Sequence, residues 1–124
     1  MKTSEIKGFY KHSPEKRLEI VAEFSGLNAE EKALLSKTGA LEIGLADHMI
    51  ENVISVMPLP MGVAVNFLIN GKDYLIPMAV EEPSVVAAAS NAARMARVKG
   101  GFFASNTGPV MRAQIQIVNV IDPY

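Results

Sequence analysis

The sequence contains no cysteine, and aromatic residues make up only 6% of its 124 positions. Without cysteine, a disulfide scaffold, a thiolate metal site and a cysteine nucleophile are all excluded. An excess of charge is also missing, because 12 basic and 13 acidic residues leave a formal net charge of -1. A chain without a basic excess lacks the electrostatic footprint of a nucleic-acid-binding protein, so no nucleic-acid partner is expected.

Long apolar runs and nucleotide-binding motifs are absent as well. The N-terminus has no continuous apolar core of a secretion signal. The most apolar window, residues 53–69, is interrupted by two prolines, a glycine and an asparagine and is a poor membrane span. Neither G-x-G-x-x-G nor a P-loop motif occurs. With 49% hydrophobic and 20% charged residues, the composition is typical of a globular domain, expected in the cytoplasm without a membrane partner.

The first third of the chain predicts helices. Residues 13–15, Ser-Pro-Glu, have the pattern of an N-cap, a proline at the first helical position and a first-turn acid, and Gly26 ends this helix. Asn28 followed by Glu31 predicts a capping box at the start of a second helix. A third helix is predicted over about 41–54, since apolar residues recur there on one face.

The middle of the chain predicts a β-hairpin. Residues 62–69 are rich in valine, alanine, phenylalanine and isoleucine, and Asn70-Gly71 is a strong signal for a two-residue turn. Tyr74 to Val80 is interpreted as the return strand. Pro77 within it predicts an edge strand or a local irregularity, since proline cannot donate to the ladder.

A second helical pattern extends from Pro83 to about Val98 and is rich in small residues. Small side chains permit close packing, so this helix is expected to lie against a sheet or a subunit. Gly100-Gly101 ends it, and residues 102–110 are interpreted as a loop. Alternating polar and apolar residues then predict a half-buried strand from Ala113 to Val120. The pattern predicts either a small α+β domain or a larger protein that has been cut short.

Two adjacent acids, Glu81 and Glu82, lie between the return strand and the small-residue helix. As structural residues they would satisfy free backbone N–H groups and favour the dipole at the helix N-terminus, and the pattern alone favours this role. The functional alternative is a carboxyl group held at the end of a strand among apolar neighbours. Burial there would keep it protonated and able to donate a proton.

The histidines predict little chemistry. His48 and Glu51 have a spacing that can hold a metal, but a pair without a third ligand is more typical of a solvated helix face, and no metal is expected. His12 precedes an N-cap and is interpreted as a loop residue. Asn66 interrupts an apolar strand, and a buried amide must be hydrogen-bonded. It therefore either ties down a neighbouring loop or contacts a ligand.

Several stretches, taken together, resemble the hydroxymethylglutaryl-CoA reductase family, and most of all its class II enzymes of bacteria and archaea. In chain order they are GFYKHSPEKRLE, ENVI, LPMGVAVNFLINGKDYLIPM, EEPSVVAAASNAA, GGFF and AQIQIV. The resemblance runs over essentially all 124 residues and matches the N-terminal part of the family's large domain. It implies the same α+β arrangement of N-terminal helices, a β-hairpin and a small-residue helix.

The resemblance implies an oxidoreductase that interconverts hydroxymethylglutaryl-CoA with mevalonate plus CoA, using two NADH or NADPH and a bound mevaldehyde stage. The second glutamate of the family's E-E-P motif is its catalytic acid, and it matches Glu82. This residue would donate a proton to the carbonyl oxygen and would need burial or neighbouring anions to stay protonated. Ser84 matches a family hydroxyl near the hydroxymethylglutaryl group and is the expected substrate-binding residue.

The resemblance also implies a homodimer whose active sites are built from both subunits. The ENVI segment, Glu51 to Ile54, and the small-residue helix belong to the family's dimer region. This would give Ala87, Ala88 and Ala89 a packing role. Ser55 is a departure, since the family usually has a glycine after E-N-V-I.

A larger departure is length. Family members run to several hundred residues, and their catalytic lysine, aspartate and histidine and their nicotinamide-binding motif have no match here. Residues 1–109 are therefore expected to be the N-terminal part of the large domain, and 110–124 the start of a truncated cofactor-binding domain. NAD(H) or NADP(H) would bind to a part absent from this chain, which alone should be inactive. The alternative is a free-standing, non-catalytic module for acyl-CoA binding or dimerisation, derived from the reductase.

Overall fold

The computed structural model describes residues 2–119 and Ile121. Its elements are, in chain order, a 3-10 helix (Phe9–Lys11), helices α1 (Pro14–Ser25), α2 (Ala29–Ser36) and α3 (Ile43–Asp47), strands β1 (Met61–Ile69) and β2 (Lys72–Ala79), and helix α4 (Val85–Arg97). Helices combined with a two-stranded antiparallel sheet confirm the predicted α+β class. No helix among the described residues has the length and apolar character needed to cross a membrane.

Helices α1 and α2 begin as predicted from their capping residues. The side chain of Ser13 accepts a hydrogen bond from the backbone N–H of Lys16 at 3.3 Å, with Pro14 at the first helical position. At α2 the side chain of Asn28 accepts from the N–H of Glu31 at 2.9 Å, and the Glu31 carboxylate accepts from the N–H of Asn28 at 2.8 Å. The capping box is therefore complete, and it pairs donors that the first helical turn leaves free.

The predicted third helix is wrong in its extent. Helix α3 spans only Ile43–Asp47, and turns follow it over residues 48–52. Leu45 and Met49, two of the apolar residues in this segment, are 59% and 65% exposed. The helix therefore lacks the tertiary packing that sustains helices of this length. Asn52 then adopts a left-handed backbone with φ of 57°, which ends any right-handed continuation.

The predicted hairpin is confirmed. Strands β1 and β2 pair antiparallel from Met61↔Ala79 at one end to Ile69↔Lys72 at the other. The turn residues between them, Asn70-Gly71, have φ of 49° and 76°, as the favoured two-residue hairpin turn requires. Pro77 lies on β2, which is an edge strand of the described two-stranded sheet, as predicted.

A β-bulge interrupts the ladder in the middle of β1. Ala64 pairs with Ile76 and Phe67 pairs with Tyr74, so the two residues between them on β1 oppose a single residue of β2. Asn66 is one of the two and has φ of 72°. Its side-chain amide donates to the carbonyl of Ser90 in α4 at 3.0 Å. Of the two roles left open for Asn66, this contact agrees with the tie to a neighbouring segment, although that segment is a helix instead of a loop.

Helix α4 packs against β1 through small residues. Ala64 on the strand and Ala93 on the helix are both fully buried. A Cβ atom added to Gly62 would lie 3.2 Å from Cγ2 of Val86, so the strand and the first turn of the helix approach closely. The prediction that this helix packs on a sheet is confirmed.

The strand predicted from Ala113 to Val120 is wrong for the described residues 113–119, which have no regular secondary structure. Ile115 and Ile117, expected on its buried face, are 86% and 75% exposed. A strand forms only when a partner pairs its backbone groups, and no partner pairs with this segment in the described part of the chain. Val120 itself lies outside the described residues.

Candidate active site at the start of helix α4

The link between β2 and α4 carries both site residues predicted from the resemblance, Glu82 and Ser84. At its start, the N–H of Val80 donates to the carbonyl of Pro60 at 3.1 Å. At its end, the carbonyl of Ser84 accepts from the N–H of Ala88 at 2.7 Å. The link is thus fixed to the sheet at one end and to the helix at the other. Glu82 and Ser84 are both exposed between these points.

Ser84 has an unusual backbone conformation. It is the N-cap residue of α4 and has φ of 74° and ψ of -16°, in the left-handed region. For a residue other than glycine this conformation costs about 1–3 kcal/mol. Its side chain makes no capping hydrogen bond, although a serine at this position usually does. Backbone strain of this kind clusters at active sites and ligand clamps, which makes the link a candidate functional site.

Neither acid of the link caps the helix, so the capping interpretation of Glu81 and Glu82 is wrong. Helix α4 begins at Val85, and its first turn contains no acidic residue. The prediction that Pro83 begins the helix is wrong for the same reason. Ser84, with its left-handed backbone, turns the chain just before the helix. Both acids therefore lie outside the first turn of α4. Both are exposed, so burial among apolar neighbours is not provided by the described residues.

Apolar side chains lie beside this link at the entry to the sheet. Met61 pairs with Ala79 at the end of the ladder, next to the hydrogen bond between Val80 and Pro60. Met61 is 58% exposed and Leu59 is 53% exposed. The two acids therefore follow a sheet end whose apolar surface is only partly covered.

A polar cluster, which sequence patterns did not indicate, lies at the other end of α4. Oδ1 of Asp73 accepts hydrogen bonds from the N–H and the hydroxyl of Ser4, at 2.8 and 2.7 Å, and from Nη1 of Arg97 at 2.8 Å. Partial burial by itself raises the pKa of Asp73, but the hydrogen bonds from Arg97 and Ser4 outweigh it and lower the pKa to about 2. A carboxylate held ionised in this way is a structural acceptor.

The structure does not bring the histidines into a site. His48 follows α3 and is exposed, and its Nδ1 lies 2.7 Å from the carbonyl oxygen of Gly44. His12 lies between the 3-10 helix and α1, and its carbonyl accepts from Nε of Arg17 at 3.1 Å, which fits the predicted loop role. No group of three metal-ligating side chains occurs among residues 2–119 and 121.

The two cavities found among the described residues are small for a nicotinamide dinucleotide. One cavity of about 200 Å³ lies between the N-terminal segment and α1, and another of about 160 Å³ lies beside α3. Sites for ligands of drug size typically enclose about 300–1,000 Å³. The sequence also lacks a glycine-rich loop that would hold a pyrophosphate. Neither of these two cavities is large enough for such a cofactor.

The chain is similar to known protein sequences over most of its length. The sequence model of the hydroxymethylglutaryl-coenzyme A reductase family matches residues 13–124. The 3-hydroxy-3-methylglutaryl-coenzyme A reductase of Archaeoglobus fulgidus is 62% identical over 122 residues, which cover 98% of this chain and 28% of that protein. The probable reductase of Borreliella burgdorferi is 50% identical over 48 residues, which cover 39% of this chain and 11% of that protein.

Solved structures share the fold. The class II 3-hydroxy-3-methylglutaryl-CoA reductase from Streptococcus pneumoniae, bound to NADPH in open conformations, superposes with a TM-score of 0.71 at 39% identity, covering 78% of this chain and 26% of that chain. A second structure of the reductase from that organism gives a TM-score of 0.72 at the same identity, covering 78% and 23%. The chain thus spans about a quarter of the length of these relatives. This chain belongs to the hydroxymethylglutaryl-CoA reductase family.

Proposed function

We propose that this chain is the N-terminal portion of an enzyme that interconverts hydroxymethylglutaryl-CoA with mevalonate and CoA, and that Glu82 is its proton donor. The observation that carries the proposal is the strained, left-handed Ser84, with φ of 74°, at the end of the E-E-P-S sequence. The 62% identity with the Archaeoglobus fulgidus reductase supports it. Residues 1–109 then belong to the large domain and 110–124 begin the cofactor-binding domain.

In this proposal Glu82 gives a proton to the carbonyl oxygen of the substrate as negative charge develops there. A carboxyl group can do this only if it is protonated, which burial or neighbouring anions favour. Glu82 is exposed in this chain, so its cover has to come from the rest of the protein or from a second subunit. The partly exposed Leu59 and Met61 offer an apolar surface for that cover.

Ser84 contributes a hydroxyl group to substrate binding. Because its side chain makes no capping hydrogen bond, the hydroxyl is available to the hydroxymethylglutaryl portion of the substrate. The left-handed backbone of Ser84 turns the chain directly after Glu82 and Pro83. Proton donor and substrate-binding hydroxyl therefore lie two residues apart on one fixed turn.

The cofactor belongs to another part of the protein. The Streptococcus pneumoniae relative was solved with NADPH bound, and the two cavities described here, of about 200 and 160 Å³, are small for a dinucleotide, which supports a cofactor site elsewhere. We assign no step of hydride delivery to this chain. Its share of the reaction is to bind the substrate and to supply the proton.

A homodimer gives the exposed apolar surface of residues 51–57 a partner. Within this segment, Ile54 is 96% and Met57 is 82% exposed. Covering such side chains stabilises an assembly by about 25 cal/mol for each Å² of apolar surface removed from water. Ala87 and Ala88 of α4 are also exposed, and their small side chains allow a second backbone to approach closely.

The proposal is tested by assaying nicotinamide oxidation with hydroxymethylglutaryl-CoA, using the complete polypeptide that the gene encodes and the 124-residue chain. We expect turnover by the complete gene product and none by the short chain, because in this proposal the cofactor binds to another part of the protein. Turnover by the short chain would contradict this division of roles. A reading frame that stops at Tyr124, with an inactive product that unfolds cooperatively, would instead support a free-standing binding or dimerisation module.

A further inference from the structure

We propose that Ser90 is a positioning residue for the candidate site. Its side chain fixes the position of helix α4 along strand β1. In this way it determines the positions of Ser84 and Glu82. This inference rests on the proposed function, since it takes those two residues as the groups that contact the substrate. Four observations carry it: the bulge in β1, the hydrogen bonds of Ser90, the direct link from α4 to Ser84 and the close contact at Gly62.

The bulge leaves a backbone donor outside the β-ladder. Val65 and Asn66 together oppose only Leu75 of β2. Val65 is 7% exposed, and its N–H donates to the hydroxyl oxygen of Ser90 at 3.1 Å. A buried N–H without an acceptor pays the full cost of desolvation. The N–H of Val65 therefore needs an acceptor from outside the ladder, and α4 is the element that provides it.

The hydroxyl oxygen of Ser90 supplies this acceptor, and its other groups make further hydrogen bonds. Its hydroxyl accepts from Val65 and donates to the carbonyl of Val86, one turn earlier in α4, at 2.8 Å. Its carbonyl accepts from the side-chain amide of Asn66 at 3.0 Å. Two consecutive residues of the strand thus hold one residue of the helix. A shift of α4 along its axis would break both contacts together.

The position of Ser90 on the helix links it to the site. Ser84 lies six residues earlier, which is about 9 Å along a helix that rises 1.5 Å per residue. The carbonyl of Ser84 accepts from the N–H of Ala88 at 2.7 Å, so Ser84 moves with the first turn of α4. A displacement of the helix is therefore transmitted to the hydroxyl of Ser84 and to Glu82, two residues before it.

A second contact restricts the same motion from the strand side. The close approach at Gly62, where an added Cβ would lie 3.2 Å from Cγ2 of Val86, leaves no space between β1 and the first turn of α4. At the far end of the helix, Arg97 is held by Asp73 at 2.8 Å. Ser90 lies between these two contacts and supplies the hydrogen bond that fixes the helix in the middle.

The chain offers a matched control for a change at Ser90. Ser36 also lies in a helix, α2, and its hydroxyl donates to a carbonyl of its own helix, that of Ala33, at 2.7 Å. It is exposed, and among residues 2–119 and 121 its side chain accepts no hydrogen bond from a strand. Replacing either serine with alanine removes a hydroxyl from a helix, but only Ser90→Ala removes an acceptor for β1.

The test measures steady-state kinetics of the complete gene product as Ser90→Ala, Ser90→Thr and Ser36→Ala, with folding checked by circular dichroism. A misplacement of about 1 Å can cost up to about 100-fold in rate, and we expect Ser90→Ala to lower kcat about tenfold. The KM for the nicotinamide cofactor should stay near its parent value, because its site lies elsewhere. Ser90→Thr retains the hydroxyl and should recover most of kcat, and Ser36→Ala should match the parent.

The outcomes separate this inference from the proposed function on which it rests. Glu82→Gln is assayed in parallel, and its inactivity shows that the proposed function holds. In that case, a parent-like kcat in folded Ser90→Ala overturns the positioning role. A loss of kcat that Ser90→Thr does not recover overturns it as well. Full activity of Glu82→Gln overturns the proposed function itself, and the positioning role with it.

A second variant decides the question if Ser90→Ala does not fold. Gly62→Ala adds a methyl group against Val86 and pushes the first turn of α4 away from β1. A lowered kcat that is restored by adding Val86→Ala supports positioning through α4. A parent-like kcat in Gly62→Ala, or a loss that Val86→Ala does not restore, overturns it.

Discussion

Asp73 joins three segments that are far apart in the chain. Asp73 is the second residue of β2, and its carboxylate binds Ser4 near the N-terminus and Arg97 at the end of α4. Ser4 is fully buried in this cluster, and its hydroxyl oxygen also lies 2.9 Å from the carbonyl of Phe67. The cluster holds the N-terminal segment onto the hairpin and the helix, so loss of one charge should loosen all three.

The stability of the protein should depend on the charge of Asp73. Hydrogen bonds from Arg97 and Ser4 lower the pKa of Asp73 from 3.8 to about 2 against the opposing effect of burial. A carboxyl group whose pKa is lowered on folding stabilises the protein above its unfolded value, and this contribution is lost as the pH falls through the folded value. The relevant window is therefore about pH 4 down to about pH 2.

We expect Asp73→Asn to destabilise the complete gene product at pH 7 by about 1–3 kcal/mol, as for hydrogen bonds to a charged group. Its acid unfolding, followed by circular dichroism, should show a shallower loss of stability across this window than the parent. Glu42→Gln is the control, because Glu42 is exposed and makes no capping hydrogen bond. Equal pH dependence of parent and Asp73→Asn would contradict the role of this carboxylate.

Single residues of the candidate site were predictable only in part. The resemblance named Glu82 and Ser84, and the structure shows that both lie on the link between β2 and α4, while their roles stay predictions. The left-handed backbone of Ser84 has no local signature, since serine is also a common N-cap with an extended backbone. The Asp73 cluster was equally hidden, because Asp73 and Ser4 are 69 positions apart and meet only in the folded chain.

Gly101 determines how the segment after α4 joins the sheet. The N–H of Phe102 donates to the carbonyl of Leu68 at 2.8 Å, and the N–H of Asn70 donates to the carbonyl of Phe102 at 2.9 Å. The side chain of Asn70 also exchanges two hydrogen bonds with the backbone of Ala104, at 2.8 and 3.0 Å. Residues 102–104 thus extend the free edge of β1.

This junction allows no side chain at Gly101. Its φ is 82°, and an added Cβ would lie 2.2 Å from the carbonyl oxygen of Leu68. We expect Gly101→Ala to lower the free energy of unfolding by about 3 kcal/mol, from left-handed strain and from overpacking. The matched control is Gly108→Ala, since Gly108 has a similar φ of 87° with no atom near an added Cβ. If thermal unfolding shows that the two variants lose the same free energy of unfolding, the close contact at Gly101 is unimportant.

Whether an element could be predicted depended on where its stability comes from. The capping box of α2 and the turn at Asn70-Gly71 rest on side chains within a few residues, so sequence spacing was sufficient. Helix α3 and the segment 113–119 carry regular apolar patterns but little of their apolar surface is covered. Periodicity shows which face an element would bury and says nothing about the presence of a partner.

The chain as a whole buries few large side chains. Its buried hydrophobic residues, within the described ranges, are Phe9, Ala22, Ala46, Ala64, Val65 and Ala93. By contrast, Ile54 and Met111 are 96% and 95% exposed. Contiguous apolar patches beyond a few hundred Å² mark interaction surfaces on soluble proteins. Exposed apolar residues of this kind fit a chain that spans 28% of its Archaeoglobus fulgidus relative.

The exposed apolar surface should make the isolated chain bind hydrophobic dyes. We expect the fluorescence of such a dye, per mole of chain, to be several-fold higher with the 124-residue chain than with the complete gene product. Ile54→Asp and Met111→Asp together should reduce the signal of the short chain. Equal dye fluorescence from the two proteins would contradict the view that the rest of the protein covers this surface.

The two neighbouring acids provide the decisive comparison for the proposed mechanism. Glu81→Gln and Glu82→Gln remove the same group from adjacent, exposed positions on one link. The measurement is kcat for reduction of hydroxymethylglutaryl-CoA by the complete gene product carrying each change. We expect Glu82→Gln to lower kcat by about 100-fold or more, as loss of a general acid does, and Glu81→Gln to retain most of it. A folded Glu82→Gln with near-parent kcat, or an equal loss in both variants, would contradict the assignment of Glu82 as the proton donor.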